Sequence, residues 1–396
     1  MAKIVFTWEL GGGIGHIVPY LALVDALQAK GHEVIFIVRD LRQAHLISKK
    51  SKATCFQAPI KVWSGINPVK TLYTYAHILH NIGFDDLGSL MGLVQGWQAL
   101  FNAIHPDLVI FEHSPTALLA ARGYTFKKML MGTGFVIPPP VYPLPNLRFW
   151  LKPDPEALRN DEDRTLEIMN RLLDTLHRAP LNCITDLFST EPYALGTFKE
   201  LDPYGERDND RYYGTWISSI GEEPLWPTGQ GRKAFVYLKP FPALPALLSM
   251  LHNLRMPSIV YVERIGRKLK EQLHSSTLRF VDAPQDMGKV AAQCDVAVLN
   301  ANLNTSAQML LAGKPALHLP LYLEQYLTAH TIEKIGAGVS ASIRKPDEMA
   351  AKLKSLLRSD SYAEAAREFS TRYKPMSPHT QNERLVDLVE NILIGA

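Results

Sequence analysis

Cysteine is scarce in this chain: Cys55, Cys183 and Cys294 are the only three in 396 residues, and no two stand at a CxxC or other metal-ligand spacing. That excludes a disulfide framework and a thiolate zinc site, and a reduced cytoplasm is the compartment expected. An excess of one charge is also missing. The formal net charge is +3, from 42 Lys and Arg against 39 Asp and Glu. Basic pairs such as Lys49-Lys50 and Lys127-Lys128 are scattered, the pattern of a solvated surface and not of a nucleic-acid track. No apolar run reaches the ~18 residues of a membrane span, and no charged-then-apolar leader follows Met1. Neither a spanning helix nor a secretory signal is expected, although peripheral membrane contact stays compatible with the sequence. There is no low-complexity tract and no convincing internal repeat.

What remains is an ordinary globular composition, 46% hydrophobic and 20% charged, in a chain too long for one core and long enough for two units of about 200 residues. The first motif is a βαβ unit. KIVFTW (Lys3 to Trp8) reads as a buried strand cut off by Gly11, Gly12, Gly13 and Gly15. A helix is expected from near Pro19, with Leu21, Val24 and Leu27 at helical spacing and Gly31 as its C-cap, before VIFIV (Val34 to Val38) supplies a second strand. In an open parallel sheet, ligands sit beyond the carboxyl ends of the strands, and His16 lies at that edge.

The four glycines permit positive φ and let a ligand approach backbone N–H groups, Gly15 among them, at the positive end of a helix. The spacing GGGIGH is not the dinucleotide fingerprint, because an imidazole stands where that motif needs glycine or alanine. A hydride-transfer cofactor is therefore disfavoured. A neutral imidazole at this edge can take a proton from an acceptor hydroxyl, provided something orients it. LVIF (Leu108 to Phe111) reads as another buried strand, and Glu112 at its carboxyl end is the expected partner, with His113 beside it and Glu9 as a weaker competitor.

In the second half, VAVL (Val296 to Leu299) reads as a strand after which Asn300, Asn302, Asn304, Thr305 and Ser306 crowd a helix start. Exposed amides and the helix dipole favour a phosphate there, although the same residue types also serve as ordinary caps. No metal-ligand cluster appears.

Gly15-His16, then Pro19 and the LALVDALQAKGHEV helix, resemble the N-terminal signature of nucleotide-sugar-dependent glycosyltransferases of the GT-B fold, family 1 type, the group that includes UDP-glucuronosyltransferases and bacterial natural-product glycosyltransferases. Leu278 to Gly338 follow the order of that family's donor-binding region. Pro284-Gln285 resemble its Pro-Gln pair, Thr305 the residue opening the phosphate-binding helix, Ala312-Gly313-Lys314-Pro315 its turn, and Glu324-Gln325 its clamp on donor sugar hydroxyls. The chain departs from the pattern at Asn300, where the family usually has His; at Ala301 or Asn302, where a loop glycine is usual; at Gln308, in place of a ribose-binding Glu; and at Asp282, in place of a base-stacking aromatic. Asn and Gln still donate hydrogen bonds but add no positive charge.

The resemblance implies two Rossmann-like, doubly wound parallel α/β domains facing a cleft: residues 1–205 for the acceptor, a Gly-, Pro- and charge-rich linker over 206–232, and 233–396 for the donor, with the last helix packing back on the first domain. It implies transfer of a sugar, with inversion, from a UDP- or dTDP-type donor to an acceptor hydroxyl, His16 as base, Glu112 as its partner, and no metal, the helix dipole taking that place. GTGFVIPPPVYPLPNLRFW (Gly132 to Trp150) is hard to bury, so Phe135, Tyr142 and Trp150 are expected to line a pocket for an apolar or aromatic small molecule or lipid. Two other readings of this architecture are a nucleotide-sugar 2-epimerase and a non-catalytic binding protein with a degenerate donor site.

Overall fold

The computed structural model describes residues 1–62, 67–207, 211–216 and 221–395, and their side chains apart from those of Gln43, Lys49 and Lys50. The Lys49-Lys50 pair and residues 208–210 and 217–220 of the expected linker therefore lie outside the described residues. Two compact units are present: residues 1–199, 204–216 and 379–396 in the first, and 200–203 and 217–378 in the second.

The first unit is built on six parallel strands, β1 (Lys3–Trp8), β2 (Glu33–Val38), β3 (Thr54–Gln57), β4 (Leu108–Glu112), β5 (Lys127–Gly132) and β6 (Tyr193–Leu195), in the order β3-β2-β1-β4-β5-β6. The central strands are near-continuous apolar runs because helices cover both faces of a parallel sheet. The order reverses between β1 and β4, so the segments leaving these two strands diverge and open a crevice at their carboxyl ends.

The second unit repeats the plan with β7 (Ala234–Leu238), β8 (Ser258–Val262), β9 (Leu278–Val281), β10 (Val296–Leu299), β11 (Ala316–His318) and β12 (Gly338–Ser340), ordered β12-β11-β10-β7-β8-β9 and again all parallel. Alternate residues feed two cores. Ala234, Val236, Val260, Val298 and Leu317 pack on one face, and Phe235, Ile259, Ala297, Leu299 and Ala316 on the other.

One local detail differs from the sequence expectation. The helix after β1 spans Leu21–Ala29 and is preceded by two short 3-10 turns, Ile14–His16 and Val18–Tyr20. His16 is therefore held on a hydrogen-bonded turn and not on open loop. After β3 come helices Tyr75–Leu79 and Leu87–Ile104, with an intervening π-type turn where Gly83 takes φ +124°.

The expected linker is not free chain over its first part, because Tyr212, Tyr213 and Trp216 are buried and Tyr213 donates its backbone N–H to Leu195. The last helix, Pro378–Ile394, groups with the first unit. There Glu390 meets His32 Nε2 at 2.8 Å and the Arg384 guanidinium lies 4.5 Å from the centre of the Tyr213 ring. No helix among the described residues is long and apolar enough to cross a membrane.

Candidate active site

Trp8 closes β1 and pairs in register with Glu112 at the end of β4, which brings the segment after β1 alongside Glu112. The 3-10 turn then returns His16 over the strand ends. Its Nδ1 lies 2.9 and 3.0 Å from the two carboxylate oxygens of Glu112. The imidazole stacks on the Trp8 indole, centroids 5.1 Å apart and planes 13° from parallel. With Nδ1 turned to the carboxylate, Nε2 faces Gly11, where a Cβ would stand 2.3 Å from it. Gly11 has φ +81°, so both its backbone and the absence of a side chain are required at this position.

Burial raises the Glu112 carboxyl above its ordinary pKa, while the His16 charge, the His16 hydrogen bond and a hydrogen bond from Tyr20 pull it down. Tyr20 closes the second 3-10 turn, Val18–Tyr20, and because that turn is separate from the one that ends at His16 no helical spacing in the sequence points to it. Its own phenol is pushed well above the usual value by burial and by the Glu112 charge. It stays a hydrogen-bond donor. A carboxylate that accepts Nδ1–H fixes the imidazole tautomer in which Nε2 takes a proton.

His113 is the other residue that sequence reasoning left without a role. It is buried with φ +42°, its ring 6.0 Å from that of His16 and 6.3 Å from that of Phe135. Burial, then the nearby His16 and Arg39 charges, push its pKa well below the ordinary value, so it is neutral. Glu9 does not compete for His16. Its carboxylate is buried and accepts from Thr116 N at 2.6 Å, Ala117 N at 3.3 Å and Trp97 Nε1 at 2.9 Å.

The expected acceptor residues separate. Phe135 is buried against Tyr75 and His113. Tyr142 is exposed and donates its hydroxyl to Asp163, and Trp150 is exposed with its ring edge-on to Phe149 at 4.9 Å. Gly15 is exposed on the 3-10 turn. A cavity of about 420 Å³ between Phe101, Tyr124 and Leu393 lies at the amino edge of the first sheet, where Asp107 precedes β4 and Lys127 opens β5, away from His16 and Glu112.

In the second unit the polar loop after β10 also sits at the sheet's reversal point, between β7 and β10. Asn300 bridges it: Oδ1 accepts from Lys239 N at 2.6 Å and Nδ2 donates to Leu319 O at 2.8 Å. This buried side chain ties three strand ends together. Ala301 takes φ +65°, a left-handed conformation at the place where the resemblance calls for glycine. The helix spans Leu303–Leu311, so Thr305 is its third residue and Asn302 its N-cap, but Asn302 makes no capping hydrogen bond. Its Oδ1 instead accepts from Gln325 Nε2 at 2.7 Å, while Gln325 Oε1 accepts from Leu321 N at 2.8 Å.

The first-turn amides of this helix are thus left without a side-chain cap, beside the half-buried Asn304 and Thr305. Such an end is suited to an anion. Ser306 Oγ and Gln308 Oε1 are buried without a hydrogen-bond partner. Gln285 is buried under the chain at Gly221 and donates to Ala283 O, and Glu324 stands half-buried in the first turn of the helix Leu323–Lys334. Asp282 is exposed and paired with Lys270. Among the described residues no group of three or more His, Cys, Asp or Glu could hold a metal.

Residues 6–111 match the glycosyltransferase family 28 N-terminal domain. A PGL/p-HBAD biosynthesis glycosyltransferase of Mycobacterium tuberculosis is 24% identical over 306 residues, covering 70% of this chain and 69% of the relative. Among solved structures, the calicheamicin glycosyltransferase CalG4 superposes with a TM-score of 0.72 at 14% identity, covering 99% of this chain and 98% of that one. The spinosyn rhamnosyltransferase SpnG gives 0.69 at 15%, covering 99% of each. VinC, solved in complex with dTDP, gives 0.68 at 15%, covering 100% of each. Two six-stranded parallel sheets of identical order and the family 28 match over β1 to β4 lead to one conclusion: the chain is a glycosyltransferase of the GT-B fold.

Proposed function

We propose that the protein transfers a sugar, with inversion, from a UDP- or dTDP-type nucleotide sugar to a hydroxyl of an apolar or aromatic small molecule or lipid. The observation that carries this reading is the contact of Glu112 with His16 Nδ1. With that nitrogen committed, Nε2 accepts the proton of the acceptor hydroxyl as its oxygen attacks the anomeric carbon. The imidazolium formed is stabilised by the buried Glu112 carboxylate. Attack from the side opposite the leaving group inverts the anomeric centre.

The uncapped first turn of the helix Leu303–Leu311, with Asn304 and Thr305, receives the departing diphosphate. Its amides stabilise the charge that develops there, without a metal ion. Glu324, half-buried in the first turn of the helix Leu323–Lys334, is the carboxylate assigned to the sugar hydroxyls, while Gln325 bonds Asn302 and Leu321. The dTDP bound to VinC is in keeping with the donor assigned here. A reduced cytoplasm suits a chain whose three cysteines are unpaired. A non-catalytic role would leave the His16–Glu112 pair without purpose, which is why the enzymatic reading is preferred.

The test is a thermal-shift screen against UDP-, dTDP- and GDP-sugars, followed by NMR of the product formed with a panel of phenolic and lipid alcohols. Stabilisation by one donor that persists in His16→Ala, with an inverted product in the native protein alone, is the expected result. Retention of anomeric configuration, or turnover undiminished in His16→Ala, would overturn it.

A further inference from the structure

A second cavity, of about 170 Å³, opens at the carboxyl edge of the first sheet between Arg39, Lys61 and the apolar side chains of Leu10, Pro59, Ile82 and Leu93. It is too small for a whole drug-sized ligand, for which 300 Å³ or more is usual, and is the size of one arm of a larger molecule. Its charged groups are not all held in ion pairs. Lys61 is neutralised by Asp85 at 3.0 Å, and Asp40 by Arg42. Glu9 turns its carboxylate to Thr116, Ala117 and Trp97. Arg39 gives one N–H to Glu9 O at 2.7 Å and has no ion-pair partner among the described residues. One half-buried guanidinium, with donors to spare, therefore lines a recess in which the apolar walls alternate with Glu9, Lys61, Asn81 and Thr116.

We propose that this recess is an acceptor subsite for a carboxylate, which Arg39 binds while the apolar walls take the carbon chain that carries it. The proposal rests on the acceptor-binding role given above to the first unit. A single guanidinium outside any ion pair among the described residues matches a monoanion better than a phosphate dianion. A guanidinium fork is the side chain that pairs bidentately with a carboxylate.

The sheet fixes the distance to the chemistry. Trp8 is in register with Val38 on one side and Glu112 on the other, so Arg39 and Glu112 leave strands that flank β1. Two strand spacings separate them by on the order of 10 Å. The acceptor is thereby a hydroxy acid whose carboxylate lies on the β2 side of β1 and whose reacting hydroxyl lies on the β4 side.

Isothermal titration or ligand-observed NMR of the full chain with phenylacetate and with its neutral isostere phenylacetamide tests this without any sugar transfer. Failure of the transferase reading therefore cannot be mistaken for failure of the subsite. Phenylacetate should bind at least about tenfold more tightly than the amide, the discrimination expected of a charge-assisted hydrogen bond. Arg39→Gln should abolish the preference, Arg39→Lys should keep part of it, and Ile82→Trp, which fills the recess with Arg39 intact, should abolish binding. Equal binding of acid and amide, or an acid preference that survives in Arg39→Gln or Ile82→Trp, would overturn the proposal.

Discussion

Gln325 donates its side-chain amide to Oδ1 of Asn302 over 2.7 Å, and by doing so takes the N-cap residue of the helix Leu303–Leu311 away from the amides it would otherwise cap. The helix end stays open to an anion because a neighbouring helix holds its cap aside. Replacing Gln325 with Met removes both this bond and the acceptor for Leu321 N. A loss of about 1–3 kcal/mol is expected from the stranded groups. Urea unfolding measures it, and weaker binding of the nucleoside diphosphate should accompany it as Asn302 swings back onto the helix.

The His16–Glu112 pair sets the second expectation. His16→Ala should lower kcat by about 10²–10⁴ and leave donor binding unchanged, while Glu112→Gln should lower kcat by as much as ~10⁴ through the wrong tautomer. Steady-state rates with donor affinities measured separately distinguish these effects. A variant that weakens donor binding and spares kcat would remove the pair from the chemistry.

Tyr20→Phe should move the pH profile. The Tyr20 hydrogen bond lowers the Glu112 pKa, so its loss raises that pKa further. The acid limb of kcat against pH should therefore shift to higher pH, while the melting temperature shows only the modest loss of one hydrogen bond.

Gly11→Ala is predicted to displace His16 directly. The new Cβ would lie 2.3 Å from Nε2, on a backbone at φ +81° that alanine adopts only with strain. Activity should fall more than about tenfold, on the scale by which small misplacements cost an active site. Circular dichroism of the variant should remain that of the native fold, and full activity would show that the imidazole has room to move.

Glu9 should make stability fall as pH rises. Burial above all lifts its pKa from 4.5 to about 7, against the opposing hydrogen bonds of Thr116, Ala117 and Trp97. A carboxyl raised in the folded state contributes stability that is fully present below pH 4.5 and is lost as pH climbs through 7. The size is on the order of 3 kcal/mol. Glu9→Gln should flatten this part of the curve, so that the variant gains on the native protein between pH 5 and 8 in urea titrations. Parallel curves would contradict the assignment.

Much of this molecule is legible without coordinates. Strands such as KIVFTW, LVIF and VAVL announce themselves as short apolar runs because parallel strands are buried on both faces. His16 and Glu112 are legible as candidates because a residue that directly follows such a run falls at the carboxyl edge. What the sequence hides is how polar side chains spend their hydrogen bonds. Asn300 and Asn302 read as ligand-facing residues of a polar loop, and Gln325 as half of the clamp that the resemblance implies, yet Asn300 is committed to Lys239 and Leu319, and Gln325 to Leu321 and Asn302. Phe135 and Trp150 look alike in a proline-rich segment, and only packing makes one buried and the other exposed.

The sequence by itself determined the two parallel sheets and the strand edge at which His16 and Glu112 stand, since these follow from local periodicity and from where strands stop. Tertiary structure decided the stacking of Trp8 on His16, the Tyr20 contact to Glu112, the diversion of Glu9 to a helix start and the place of Arg39 outside any ion pair among the described residues. Each of these depends on residues far apart in the chain meeting at one sheet edge, and a competition among partners for hydrogen bonds and charge is settled only when all of the competitors are in place.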